Sequence, residues 1–210
     1  YVACKCPLLD QAKIYPDLGY DTFLVDFRGS GGSSGYDTTI GYQEADDVAA
    51  AMEYAQKTFS PSRIILAGQS MGAAAILRAV DLHSLHPDAL VLECPFDRLF
   101  TTVKHRFDIM GVPSFPAANL LMFWGSVQQH HWAFKVKPVD SATHVHCPTL
   151  LMNALDDPFV RPPEAKAILA NLQGPKRAVW FPKVGHDAFL PKYPQEWSQA
   201  VTSFMHDTFH

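Results

Sequence analysis

The sequence predicts an α/β fold, a doubly wound and mostly parallel sheet with helices on both faces, and three observations predict it. Short apolar runs of strand length alternate with longer runs whose apolar residues recur at helical spacing. One strand-like run, residues 64–67, leads directly into Gly68-Gln69-Ser70-Met71-Gly72 and then into an alanine-rich helical run, 73–80. Two later runs, 148–153 and 178–181, each feed a loop that carries titratable side chains. Alternation of this kind implies parallel strands joined by crossover helices.

The elements follow in order. Residues 8–18 read as a helix and 22–26 as a strand. The next helix, 42–59, places Ala45, Val48, Ala49, Met52, Ala55 and Phe59 on one face, and its early acids Glu44, Asp46 and Asp47 suit the positive helix start. Strands at 64–67 and 89–92 flank the helix that follows Ser70. Pro162 and Pro163 open a helix with Ala165, Ile168, Leu169 and Leu172 on one side. A closing helix, 195–209, aligns Trp197, Ala200, Val201, Phe204 and Met205. Ligands of such a sheet bind beyond the carboxyl ends of its strands, where Ser70, Asp157 and His186 all fall.

Composition restricts the function classes. With 210 residues, 48% hydrophobic and 18% charged, the chain buries a core of one domain, 1–210. A formal charge of −4 and a pI near 6.2 leave no basic footprint, so nucleic acid is excluded as a partner. No apolar run reaches the length of a transmembrane segment. Oligomeric state is not legible. Cys4 and Cys6 are too close for the usual zinc knuckle, and with Cys94 and Cys147 as the other thiols, buried free cysteines are expected rather than a disulfide framework. His130-His131 and His144-x-His146 lack a spaced third ligand, so no metal is expected.

Gly68-x-Ser70-x-Gly72 between a strand and a helix has the context of a nucleophile elbow, a sharp strained turn that projects a serine hydroxyl alone. A serine is a weak nucleophile until a histidine takes its proton and a carboxylate orients that histidine. Downstream, 148–153 runs into Asp156-Asp157-Pro158-Phe159-Val160, and 178–181 is followed by Gly185-His186. Among ten histidines, only His186 stands behind a glycine after the last strand.

Together with Asp26-x-Arg28-Gly29-x-Gly31-x-Ser33, these motifs resemble the α/β-hydrolase superfamily along essentially the whole chain. The resemblance implies a serine hydrolase acting on a small-molecule ester, thioester or similar acyl bond, with no cofactor. Ser70 would attack, His186 would shuttle the proton, Asp157 would orient His186 and the Met71 N–H would donate to the oxyanion. Asp157, with Val160 beyond it, fits the superfamily's acid better than Asp156, whose other reading is a solvated loop carboxylate or a cap. Ester cleavage is favoured over peptidase activity. A non-catalytic scaffold or binding module on the same fold is the alternative.

Residues about 95–146 interrupt the alternation, and insertions here form a helical lid in the superfamily. Their aromatics, Phe96, Phe100, Phe107, Phe115, Phe123, Trp124, Trp132 and Phe134, read equally as plain core and as an apolar pocket under a cap. Arg98, His105 and Arg106 either reach a charged substrate group or are surface residues. The resemblance further implies a strand and an oxyanion loop just before Tyr1. The sheet is therefore expected to lack its first strands, the second oxyanion donor to come from residues 1–3, and localisation to stay open.

Overall fold

Side-chain alternation along the strands divides the core in two. The computed structural model describes residues 4–210. In chain order its elements are α1 (Leu9–Ala12), α2 (Glu44–Phe59), β1 (Ile65–Gln69), α3 (Met71–Leu82), β2 (Ala89–Glu93), α4 (Leu99–Ile109), α5 (Ser114–Gln128), α6 (Pro138–Ser141), β3 (Thr149–Ala154), α7 (Pro162–Asn171), β4 (Lys176–Phe181) and α8 (Pro194–Phe209). The four strands are parallel in the order β1-β2-β3-β4. Leu90, Leu92 and Leu151 point to one face, against α3, α7 and the start of α2. Val91, Leu150 and Met152 point to the other, against Trp197, Val201 and Phe204 of α8. Every residue of β2 and β3 is buried, as expected of central strands covered on both sides.

Most predicted elements are present within a residue or two, and the N-terminal part is the exception. The helix expected over 8–18 is broken into 3₁₀ turns at Cys6–Leu8 and Tyr15–Leu18 around the single turn of α1. Pro16 explains the break after α1, because a proline has no amide hydrogen to continue a helical ladder. Residues 22–26 have no regular secondary structure and join no sheet. A strand exists only through a ladder partner, and these residues and β1 line one shared cavity instead of pairing. The Asp-x-Arg-Gly turn beyond them is pinned by charge. The Asp26 carboxylate accepts from the backbone N–H groups of Lys5 and Gly32, and Arg28 is bonded to Asp47 of α2 at 2.7 Å.

The cysteine expectation is corrected at one end of the chain. Cys4 and Cys6 form a disulfide, which their short spacing permits only because the chain turns between them, while Cys94 and Cys147 are free thiols. Between β2 and β3 the chain is helical, as expected, but its aromatics are neither all core nor all pocket. Phe96 is buried, whereas Phe115, Phe123, Trp124 and Trp132 are exposed.

The end of β2 carries a buried acid that the sequence reading passed over. Glu93 accepts hydrogen bonds on one carboxyl oxygen from Trp197 Nε1 (2.7 Å) and Gln11 Nε2 (3.0 Å), tying α8 and α1 to the sheet. Its second oxygen has no partner among the described residues. Burial pushes this carboxyl from its usual value near 4.5 up to about 7, against the opposing pull of the two hydrogen bonds. Tyr15, packed edge-on against Trp197, is likewise raised, first by burial and then by the Glu93 charge.

A stability prediction follows from the sign of that shift. Below pH 4.5 Glu93 is neutral in both folded and unfolded chains. Between there and about pH 7 the unfolded chain ionises first, so stability falls as pH rises and then levels off. Glu93→Gln retains an oxygen for both donors and removes the titration. Thermal melts should show the unmodified chain losing about 3 kcal/mol across that range relative to Glu93→Gln. Parallel pH profiles of the two proteins would refute the assignment.

Candidate functional site

The turn between β1 and α3 is the most constrained backbone in the site. Ser70 adopts φ 49° and ψ −108°, a conformation that costs a non-glycine residue on the order of 1–3 kcal/mol and persists only where the surroundings enforce it. Its N–H donates to the Glu93 carbonyl at 2.7 Å, which fixes the turn to the neighbouring strand. Gly68 is sterically required, since a Cβ there would lie 2.7 Å from the Gly72 carbonyl carbon and 2.9 Å from the Ala73 nitrogen. Gly72 differs from the sequence expectation. A Cβ on it meets only Phe27, at an ordinary 3.8 Å.

Ser70, Asp157 and His186, separated widely in sequence, meet beyond the carboxyl ends of β1, β3 and β4. Ser70 Oγ lies 2.9 Å from His186 Nε2, and His186 Nδ1 lies 2.6 Å from Asp157 Oδ2. The other carboxyl oxygen of Asp157 accepts from the N–H groups of Phe159 (2.8 Å) and Val160 (2.9 Å). Asp157 is therefore buried yet fully engaged, as a charge removed from water must be. Gly185, at φ 65°, supplies the left-handed step that turns His186 back over the sheet edge.

The two adjacent acids do different things. Asp156 points to the other side and accepts from the N–H groups of Val184 and Gly185 at 3.2 and 3.4 Å, holding the loop that carries the imidazole. Desolvation is the largest single influence and opposes its charge, but backbone N–H groups, those of Gly185 and Val184 first, together with the Lys192 charge hold the carboxyl below the usual range. The Met71 N–H belongs to the first residue of α3, where backbone donors lie outside the helical ladder and the helix dipole is positive. The second donor expected from residues 1–3 lies outside the described residues.

Several neighbours were not foreseen. The Phe159 ring abuts His186 edge-on at 5.4 Å, and Arg106 lies over the same ring at 4.6 Å. His105, expected at the surface or on a substrate, is buried and pairs with the Phe159 carbonyl (3.0 Å) and with Glu164 (3.3 Å). Glu164 is pushed up to about 8, chiefly by burial and then by the nearby Asp97 charge. Arg98 is paired with Asp97, leaving Arg106 as the member of that trio that lines the cavity. The Cys94 thiol is buried behind the acid and raised well above its usual value by burial, and then by the charges of Asp157 and Glu93.

Cys94, Asp157 and His186 form a group of potential metal ligands within 4.8 Å of one another, but Asp157 Oδ2 and His186 Nδ1 are already bonded to each other. A metal would have to break that bond. The histidine pairs set aside earlier join no such group among the described residues. His131 stacks on Tyr42, and His144 pairs with Asp81.

The site opens into a cavity of about 1440 Å³ that runs from Ser70, Met71 and His186 between β1 and residues 21–27 and along the helical segment, past Phe96, Val103, Phe107 and Leu121. Apolar walls around a few polar groups suit the hydrocarbon part of a small molecule.

Residues 10–210 match the sequence model of the prolyl oligopeptidase family. The chain is 26% identical over 201 residues to YqkD of Bacillus subtilis, covering 94% of this chain and 66% of that protein. It is 27% identical over 154 residues to the lysophosphatidylserine lipase ABHD12 of Danio rerio, covering 70% of this chain and 38% of that one. It thus spans less than two thirds of the length of these relatives. Among solved structures, the Pyrococcus furiosus esterase Pf2001 superposes with a TM-score of 0.76 at 18% identity, over 99% of this chain and 79% of that chain. A serine hydrolase homologue from Coxiella burnetii gives 0.61 at 21% identity, over 93% and 74%.

Gly68→Ala should lower stability by about 2–4 kcal/mol, because backbone on both sides of the added methyl cannot yield without opening the turn. Gly72→Ala should cost less than about 1 kcal/mol. Chemical denaturation of the two variants checks the ranking, and equal losses would contradict it.

Proposed function

The chain belongs to the prolyl oligopeptidase family within the α/β-hydrolase superfamily, and on that premise we propose that it is a serine hydrolase cleaving an ester, thioester or similar acyl bond of a small molecule. The reading is carried by one observation, the unbroken hydrogen-bonded series from Ser70 Oγ through the His186 imidazole to the buried Asp157 carboxylate.

Ser70 Oγ attacks the acyl carbon as its proton passes to His186 Nε2. Asp157 holds Nδ1–H, keeps Nε2 free to accept that proton and stabilises the imidazolium that results. The Met71 N–H donates to the oxygen on which negative charge develops. Collapse of the tetrahedral adduct expels the alcohol or thiol, which leaves with the proton from His186. Water then attacks the acyl-serine by the same route, releasing the acid and restoring Ser70. No step calls for a cofactor.

Ester-like substrates are favoured over peptides by the apolar walls of the cavity, which offer hydrocarbon contact but few groups to pair with a peptide backbone. The lipase activity named for the Danio rerio relative and the esterase named for the Pyrococcus furiosus structure point the same way. Arg106 lines the cavity and lies over the Phe159 ring.

Ser70→Ala should abolish labelling by a fluorophosphonate probe while the melting profile is retained, because the hydroxyl contributes little packing. Persisting label would end the assignment. Asp157→Asn should reduce kcat by roughly 10⁴-fold through loss of the imidazole's orientation. Asp156→Asn should cost no more than about tenfold, since it disturbs only the loop carrying His186. The opposite order in turnover of a short-chain p-nitrophenyl ester would transfer the acid's role to Asp156.

A further inference from the structure

Helix α5 is apolar on its outward side as well as its inward one. Its inward stripe, Ala118, Met122 and Ser126, is buried; Ala118 and Met122 join the hydrophobic cluster of Phe96, Leu99 and Val103, and the Ser126 hydroxyl is spent on bonds to the Met122 carbonyl and the Ala133 N–H. Its outward stripe is Leu120, Phe123, Trp124 and Val127, an i, i+3, i+4, i+7 set that is 45–60% exposed throughout. Trp132, 48% exposed, extends the same surface through its edge contact with Phe123. Surface helices ordinarily place their polar residues on this side. Contiguous exposed apolar area of this extent marks an interaction site.

Charge identifies the occupant. Residues 109–134 contain no Asp, Glu, Lys or Arg, although such residues make up 18% of the chain. The segments bounding this stretch carry exposed Lys104 and Lys135, and the nearby acids are paired, Asp108 with Arg161 and Asp140 with Lys137 and Arg98. An uncharged aromatic face with lysines at its margins is the arrangement that lies in the interface of an anionic bilayer, rings at headgroup depth and ammonium groups on phosphates. A span is ruled out for α5, because among the described residues no helix is long and apolar enough to cross a membrane. The face is also continuous with the cavity: Leu121, one residue along α5, and Ile109 and Met110 at the end of α4 are exposed to solvent and line the space that leads to Ser70.

We propose that the outer face of α5, centred on Leu120, Phe123, Trp124 and Val127, docks on an anionic lipid surface and brings the cavity mouth to it. The inference goes beyond the hydrolase reading and is tested without it. The chain carrying Ser70→Ala is mixed with vesicles of phosphatidylcholine and phosphatidylglycerol, and binding is read by co-sedimentation and by the blue shift of tryptophan fluorescence.

Binding is expected to weaken with added salt and with removal of the phosphatidylglycerol. The double variant Leu120→Glu, Trp124→Glu should lower it by about tenfold or more, with far-UV circular dichroism unchanged because both side chains are exposed. No binding, binding indifferent to the double variant, or binding indifferent to the anionic lipid would overturn the proposal. So would sedimentation velocity showing that the double variant converts a dimer to a monomer while vesicle binding is unaltered, which would assign the face to a second copy of the chain.

Discussion

Parallel strands deliver every following loop to the same edge of the sheet, and the rest of this molecule depends on that constraint. β3 and β4 end together and β1 ends level with Met152, two residues short of the end of β3, so the residues after each of them share a few ångströms of space although they are far apart in the chain. The apolar residues of β2 and β3, buried on both faces, keep that register, because a slip by one residue would move every side chain to the opposite layer. The site is thus positioned by the hydrophobic core, and its own hydrogen bonds only refine it.

Carboxylates gathered at one edge would repel each other and resist burial, and each here meets the problem differently. Asp157 is engaged by two backbone donors and an imidazole. Asp156 stays at the surface and takes its donors from the histidine loop. Glu93 and Glu164 lack a partner on one oxygen, and burial moves both toward the neutral form.

The helical segment between β2 and β3 couples the cavity to the acid–histidine pair through Phe159. Its N–H holds Asp157, its ring touches His186, and its carbonyl and ring face are gripped by His105 and Arg106 of α4. One side of this segment is therefore anchored beside the chemistry while the opposite side presents aromatics to the surroundings.

Local patterns determined much of this protein by themselves. Apolar runs and helical spacing specify the four paired strands and the helices that flank them from neighbouring residues, and the Gly68-x-Ser70-x-Gly72 turn with its downstream acids and histidine could be read in order along the chain. Tertiary structure alone decided the rest. Asp156 and Asp157 are adjacent identical side chains, and only the direction in which the chain leaves β3 separates their roles. Residues 22–26 have the composition of a strand, but strand formation requires a partner that composition does not supply. Glu93 reads as an ordinary acid until Trp197, more than a hundred residues away, closes over it. The spacing of Leu120, Phe123, Trp124 and Val127 defines a stripe, and whether a stripe faces the core or the surroundings is set by what packs against the other side of its helix.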